Sequence, residues 1–155
     1  MPQPLRTATS VPEVAARYLV DTSVWARLAT TPEVAAALKS LVERASPDDV
    51  LVCPPVALEC GFSARTGEHQ ARIMEQLAAF PECPRHPTRD EATRIQAELW
   101  NRGLRRAVGA MDTLIAAYAV KNNAIVVHYD RDFEHISSVV PELRHRWIRP
   151  RGSIA

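Results

Sequence analysis

Residues 18–25, YLVDTSVW, place an aspartate directly after three side chains that are typical of a buried β-strand. An uninterrupted apolar run is typical of a central strand in a parallel sheet, because helices cover both faces of such a sheet. A carboxylate also interrupts the apolar segments at residues 56–62 (VALECGF), 110–117 (AMDTLIAA) and 125–133 (IVVHYDRDF). The question is why apolar segments of one chain so often meet an acid.

The length and composition of the chain indicate one globular domain. It has 155 residues, enough for a single packed core. Apolar residues make up 46% and charged residues 24%, which argues against a disordered or fibrous protein. Since the formal net charge is only +1, any contact with nucleic acid must come from local basic patches.

The cysteine pattern and the hydropathy favour a cytoplasmic protein. Cys53, Cys60 and Cys83 form no CxxC pair, and two of them lie in apolar stretches, so we expect packing thiols in a reducing compartment and no zinc site. No run approaches the roughly 20 apolar residues that a membrane span requires. We therefore expect no membrane contact.

Short strand-like runs alternate with helical patterns from Tyr18 onward, which predicts an α/β fold: a mostly parallel central sheet flanked by helices. We predict one domain over residues 17–150, a flexible N-terminal extension over 1–16 and a tail over 151–155. The predicted strands are 17–20, 50–53, 124–129 and a short last strand at 146–150. The predicted helices are 24–30, 33–45, 56–65, 68–80, 90–103, about 112–122 and a short one within 130–136.

Each acid, taken alone, also fits a local structural role. Asp21 and Asp112 suit the cap of a helix, and Glu59 suits a helix start, where the helix dipole favours negative charge. Asp130 and Asp132 suit a turn that follows a strand.

Their common placement carries more information than any single acid. Asp21 and Asp130 leave predicted parallel strands, while Glu59 and Asp112 lie on apolar faces of predicted helices that begin at the same edge of the sheet. That edge is where open α/β sheets bind ligands. Carboxylates gathered in a partly dry pocket repel each other unless they bind protons or a cation. An oxygen-only site favours Mg²⁺, with Mn²⁺ as the other candidate.

Four motifs together resemble a known family, the PIN-domain ribonucleases, and within it the VapC toxins of bacterial VapBC toxin–antitoxin systems. The motifs are LVDTSVW, LECGFSAR, MDTLIAAYA and HYDRDFEHI, and they occur in the family's order over residues 18 to about 150. The sequence departs from the family at His128, where relatives often carry serine or threonine, and in the proline-rich segment that precedes the first strand.

The resemblance implies a single PIN-like domain that hydrolyses RNA phosphodiester bonds with Mg²⁺ or Mn²⁺. It implies catalytic and metal-binding roles for Asp21, Glu59, Asp112 and Asp130, with Asp132 as a further ligand. It further implies inhibition by a VapB-like antitoxin, and a homodimer. Thr22 or Ser23 would then hydrogen-bond the first carboxylate or a water on the metal.

The segment before Asp112 is the predicted place for RNA contacts. Arg102, Arg105 and Arg106 could hold phosphates there, and Trp100 could stack a base. The alternative is a core tryptophan beside a solvated loop. The five histidines are scattered, so we expect them on the surface or in hydrogen bonds. The apolar faces of 33–42 and 72–80 are expected in the core, or in an antitoxin groove if exposed.

Two other functions fit parts of the pattern. A PIN-like binding module would keep the fold without catalysis. A phosphatase or phosphotransferase would phosphorylate Asp21, but it calls for a second aspartate two residues later and a nearby lysine. Position 23 is a serine and Lys121 is predicted at a helix end far from the acids, which disfavours the phosphatase.

Overall fold

The computed structural model of the chain describes residues 16–155. The predicted extension over residues 1–16 therefore lies, apart from Ala16, outside the described residues. Four strands form one sheet in the order β2-β1-β3-β4, and all three pairings are parallel. This confirms the predicted α/β class with its parallel sheet. The strands are β1 (Arg17–Val20), β2 (Val50–Leu51), β3 (Ala124–His128) and β4 (Arg144–Trp147).

Seven α-helices accompany the sheet in the described part of the chain. They are α1 (Thr22–Trp25), α2 (Pro32–Arg44), α3 (Pro54–Phe62), α4 (Gly67–Leu77), α5 (Arg89–Asn101), α6 (Ala110–Lys121) and α7 (Asp132–Val139). No helix within residues 16–155 is both long enough and apolar enough to cross a bilayer.

Successive residues of β1 face opposite sides of the sheet, and each side has its own core. Leu19 and Val126 belong to the larger core, to which α3, α5, α6 and α7 contribute. Val20 and Val127 belong to the smaller core, where α2 covers the sheet. All three cysteines are buried, and burial raises the pKa of their thiols, which agrees with packing roles.

Several boundaries differ from the predictions for identifiable reasons. The helix predicted over 24–30 ends at Trp25, whose indole N–H donates to the carbonyl of Val20, and turns follow. The second strand is shorter than predicted, with Val52 making only an isolated bridge to Glu82. The last strand begins at Arg144, two residues before the predicted start. Pro54 and Pro55 occupy the first turn of α3, where proline is tolerated.

Candidate active site

The order of the strands creates a crevice beside β1. The chain passes from β1 to β2 on one side and later places β3 on the other side, so the direction of winding reverses at β1. In open parallel sheets, ligands bind at such a reversal, beyond the carboxyl ends of the strands. Asp21 follows β1 directly, and Asp130 comes two residues after β3, whose Val127 pairs with Val20. The fold therefore brings these two acids to one crevice.

Asp21 is a buried acid with one satisfied oxygen. Its side chain caps α1, because Oδ2 accepts a hydrogen bond of 2.9 Å from the backbone N–H of Ser23. Asp21 is only 2% exposed, and its Oδ1 is the one buried side-chain polar atom within residues 16–155 that lacks a hydrogen-bond partner. Burial raises the pKa of Asp21 to about 6, hydrogen bonds from Ser23 oppose the rise, and the charge of Glu59 adds to it. Capping of α1 thus occupies Oδ2 of Asp21 and leaves Oδ1 without a partner.

Three further acids form a compact group at the same edge. Asp112, Asp130 and Asp132 each offer a carboxylate oxygen, and these three oxygens lie within 4.8 Å of one another. Burial raises the pKa of Asp112 to about 8, helped by the charge of Asp21, a hydrogen bond with Asp132 and the charges of Asp130 and Asp132. Asp21 is therefore electrostatically linked to this group. Asp130 also makes the predicted turn contact, since its Oδ1 accepts a hydrogen bond of 3.0 Å from the backbone N–H of Asp132.

Asp112 enters the group from the first turn of α6. It does not cap this helix, which was the alternative role for it, because α6 begins at Ala110 with Gly109 as its N-cap. The residues around Asp112 are buried over much of α6, including Thr113, Ile115 and Ala116. This packing fixes the helix, and with it the position of the Asp112 backbone.

Glu59 is held beside Asp21 by a threonine. The hydroxyl of Thr22 donates a hydrogen bond of 2.6 Å to Oε2 of Glu59, so the first turn of α1 fixes a carboxylate on α3. The charge of Glu59 raises the pKa of Asp21, which places the two acids in mutual range. The predicted apolar face around Glu59 is buried only in part: Val56 is fully buried, but Phe62 is 93% exposed because α3 ends there at the surface.

Ser23 connects the two strand ends that carry the acids. Its backbone N–H donates to Asp21, and its Oγ accepts a hydrogen bond of 2.9 Å from the backbone N–H of Tyr129. Tyr129 directly precedes Asp130 in the chain. Of the two residues predicted to contact the first carboxylate, Ser23 reaches Asp21 through its backbone N–H, whereas the hydroxyl of Thr22 donates to Glu59.

His128, where the sequence departs from the family, forms an unpredicted pair with His145 close to Asp130. His128 is fully buried at the end of β3, and its Nδ1 lies 3.1 Å from the backbone nitrogen of Asp130. Its Nε2 lies 2.8 Å from Nδ1 of His145 on β4. The expectation of surface or hydrogen-bonding histidines is therefore met at His128 by hydrogen bonds in the interior. The alternation of arginine with a ring-bearing residue over residues 144–147, RHRW, could have indicated a strand here. In the structure the two arginines are exposed, and His145 and Trp147 are half-buried.

The predicted RNA-contact residues lie on the loop before Asp112 and are open to solvent. Arg102, Arg105 and Arg106 are all exposed. The guanidinium of Arg105 lies 5.7 Å from the centroid of the Trp100 ring. Trp100 is 55% exposed, so the alternative of a core tryptophan is wrong. An exposed indole with an arginine over its face is suited to contacts with an unpaired base and its phosphate.

The five acids fit a hard divalent cation. Asp21 has an unpartnered buried oxygen, and burial together with neighbouring negative charges raises the pKa of Asp112, so both groups would gain from a positive charge. Asp112, Asp130 and Asp132 form a group of potential ligands without histidine or cysteine. Carboxylate oxygens alone favour magnesium or manganese over zinc or copper.

Comparison with protein families and curated proteins gives a consistent result. The family model described as the PIN domain matches residues 18–139. Ribonuclease VapC51 of Mycobacterium tuberculosis is 36% identical over 144 residues, which cover 91% of this chain and 99% of that protein. Ribonuclease VapC18 of the same organism is 31% identical over 140 residues, covering 88% of this chain and 98% of that protein.

Solved structures share the fold at lower sequence identity. The DNA-bound VapBC from Salmonella typhimurium superposes with a TM-score of 0.68 and 18% identity, covering 86% of this chain and 99% of that chain. VapBC-1 from nontypeable Haemophilus influenzae gives a TM-score of 0.67 and 18% identity, covering 84% and 97% of the two chains. At such identities the likeness concerns the fold.

Proposed function

The chain belongs to the PIN-domain family, and on that premise we propose that it is a metal-dependent endoribonuclease toxin that hydrolyses RNA phosphodiester bonds in the cytoplasm. The observation that carries the proposal is the acid cluster: three carboxylate oxygens within 4.8 Å of one another, beside a buried aspartate oxygen without a partner. The names of the curated relatives support the same activity.

Asp21, Asp112, Asp130 and Asp132 are the residues proposed to hold Mg²⁺ or Mn²⁺. The chemistry supplied by a bound divalent cation is polarisation of the phosphodiester and a lower pKa for a nearby water. Ser23 keeps one oxygen of Asp21 in place and leaves the other available. The cation's charge would also offset the burial and the mutual repulsion that raise the pKa of Asp112.

Glu59 is proposed as the general base. Its Oε2 is already engaged by the hydroxyl of Thr22, which restricts the orientation of the carboxylate. A carboxylate fixed in this way can orient an attacking water and accept its proton as the new P–O bond forms. Ser23 thereby fixes a proposed metal ligand, Asp21, and Thr22 fixes the proposed base, Glu59.

Trp100 and the arginines of the loop before α6 are proposed to bind the RNA on either side of the cleaved bond. The acid cluster repels phosphate, so the substrate needs positive charge close by. Arg102, Arg105 and Arg106 are exposed on the chain segment that leads to Asp112, and none of them has a carboxylate partner among the salt bridges of residues 16–155. They are therefore available to phosphate groups.

A VapB-like antitoxin and a second copy of the chain are the proposed protein partners. The solved VapBC structures that share the fold support the antitoxin. Leu58 and Phe62 lie four residues apart on α3 and are 69% and 93% exposed, so they offer an apolar surface that protein contacts would cover. Light scattering of the purified chain, with and without a Phe62→Asp substitution, tests the homodimer.

The phosphatase alternative has less support. The chain contains two lysines, and both contact glutamates: Lys121 lies 2.7 Å from Glu91, and Lys39 lies 3.8 Å from Glu43. Lys121 ends α6 whereas Asp112 lies in its first turn, a separation of about 13 Å along the helix axis. Neither lysine is placed to stabilise a phosphate on Asp21.

Cleavage of an RNA library in Mg²⁺, Mn²⁺ or EDTA tests the nuclease against a binding module. We expect metal-dependent cutting by the native chain and by Asp48→Asn, which alters an exposed aspartate away from the cleft. Asp112→Asn should cleave RNA at least about a hundredfold more slowly, because it removes both a metal ligand and a negative charge that attracts the cation. Binding of RNA without cutting in any metal would support the binding module, and cutting by Asp112→Asn at the native rate would exclude the proposed site.

A further inference from the structure

His128 combines complete burial with two polar ring contacts. Its ring is surrounded by aromatic neighbours, with centroids 5.0 Å from Phe133, 5.0 Å from His145 and 4.9 Å from Trp147. A buried imidazole needs a hydrogen-bond partner for each nitrogen, because an unsatisfied polar group is costly in the interior. Here the partners are the backbone of Asp130 and the ring of His145.

The hydrogen-bond directions follow from the backbone. The N–H of Asp130 can only donate, so Nδ1 of His128 must accept and carries no proton. Because Nδ1 carries no proton, the imidazole carries its single proton on Nε2. That proton is donated to Nδ1 of His145 over 2.8 Å. His145 thus selects the one tautomer of His128 that can hold the Asp130 amide.

The hydrogen bond between His128 and Asp130 matters because Asp130 in turn holds Asp132. Its backbone N–H is tied to His128, and its Oδ1 accepts from the N–H of Asp132. Two consecutive hydrogen bonds therefore define the turn that carries both carboxylates into the group with Asp112. On the other side, Ser23 holds the N–H of Tyr129. The backbone of residues 129–132 is therefore restrained by hydrogen bonds with both His128 and Ser23.

We propose that His128, with its tautomer set by His145, is a positioning residue that holds the Asp130 turn and so places two carboxylates of the metal cluster. The consequence for the metal rests on the proposed function, whereas the hydrogen-bond direction does not. This gives the edge strand β4 a role in the site, because His145 reaches the cluster only through the pairing of β3 with β4.

The hydrogen bonds can be tested in the native protein. Long-range ¹H–¹⁵N NMR spectra should show His128 with an unprotonated Nδ1 and a protonated Nε2, and the Asp130 amide should exchange slowly with solvent. A proton on Nδ1 of His128 overturns the proposal, whatever the enzymatic activity. This measurement stays decisive even if the chain neither binds metal nor cleaves RNA, in which case only the proposed function fails.

Two substitutions separate positioning from core filling. His128→Leu fills similar space without an acceptor, and His128→Asn is smaller but returns an acceptor to the N–H two residues later. We expect His128→Leu to speed exchange of the Asp130 amide, to weaken Mn²⁺ binding about tenfold or more and to lower kcat with little change in KM. His128→Asn should recover most of the Mn²⁺ affinity, although it packs less well.

The control is His135→Leu, which alters a half-buried histidine on α7 that makes no side-chain hydrogen bond within residues 16–155. It should leave Mn²⁺ binding and the Asp130 amide unchanged. If His128→Asn binds Mn²⁺ as weakly as His128→Leu, or if both bind it like the native chain, His128 only fills the core. Should His128→Leu fail to fold, His145→Phe keeps the aromatic packing and removes the acceptor; normal Asp130 exchange and Mn²⁺ binding in that variant would overturn the role of His145.

Discussion

In the metal-free protein, Asp21→Asn should increase stability at pH 8 while it removes stabilisation by metal. Asp21 is 2% exposed with one unpartnered oxygen, and its pKa is raised from 3.8 to about 6. A shift of about two pKa units corresponds to about 3 kcal/mol of unfavourable ionisation in the folded state. The asparagine amide accepts the same hydrogen bond from Ser23 but buries an NH₂ group, which costs about 1 to 2 kcal/mol. A net gain of about 1 to 2 kcal/mol should remain.

The gain has a defined pH window. Because the folded-state pKa of Asp21 lies above its unfolded value of 3.8, the stability penalty of ionisation is complete above about pH 6 and absent below about pH 4. The melting temperature of Asp21→Asn in EDTA should therefore exceed that of the native chain by about 3 to 6 °C at pH 8. At pH 4, the asparagine variant should lose this advantage.

Calorimetry at the two pH values, in EDTA and in Mg²⁺, checks the prediction. Mg²⁺ at a hundred times its dissociation constant should stabilise the native chain by about 2.7 kcal/mol and leave Asp21→Asn nearly unchanged. The exposed Asp48→Asn is the matched control and should follow the native chain in every buffer. If Asp21→Asn melts below the native chain in EDTA at pH 8, the ionised carboxylate of Asp21 stabilises the metal-free protein. That result would refute the argument that its unpartnered oxygen requires a cation.

Three further outcomes follow from the site. Thr22→Val should lower kcat about tenfold or more, because it removes the hydrogen bond of 2.6 Å that fixes Glu59, and Mn²⁺ titration should show unchanged affinity. Trp100→Ala should raise KM for RNA about fivefold or more without lowering the melting temperature, since the 55% exposed ring contributes stacking and little packing; steady-state kinetics and calorimetry check both. Mn²⁺ affinity should fall as the pH drops from 8 to 6, because the raised pKa of Asp112 lets protons compete with the metal. Titration calorimetry at both pH values measures this, and equal affinities would contradict it.

The fold was predictable from sequence where apolar runs and helix breakers were strong. The strand before Asp21 follows from its apolar run, since Leu19 and Val20 are buried on opposite faces of the sheet. The start of α3 at Pro54 follows from the tolerance of proline in a first helical turn. The last strand was placed two residues late, because Arg144 and His145 have no strand-like hydrophobicity. That strand depends on its pairing with β3, which is a long-range contact.

The candidate site was predictable as a set of acids but not as a geometry. Asp21 and Asp130 could be placed together because parallel strands bring their carboxyl ends to one edge. The contact between Thr22 and Glu59 depends on the packing of α1 against α3, which joins residues 37 positions apart. The pairing of His128 with His145 was not predicted, because it depends on the long-range pairing of β3 with β4.

A contrast with Glu91 shows why the acids of the cleft are not explained by local structure. Glu91 completes a capping box with Thr88 and contacts Lys121, and these contacts lower its pKa. A carboxylate with a structural role is expected to behave in this way, since its partners favour the charged form. Asp21 also caps a helix, yet burial raises its pKa, and neighbouring acids raise that of Asp112 further. The local partners of Asp21 and Asp112 therefore leave their ionised forms unfavourable, and a proton or a cation is needed to stabilise them. At neutral pH, one divalent cation can neutralise several of these carboxylates at once.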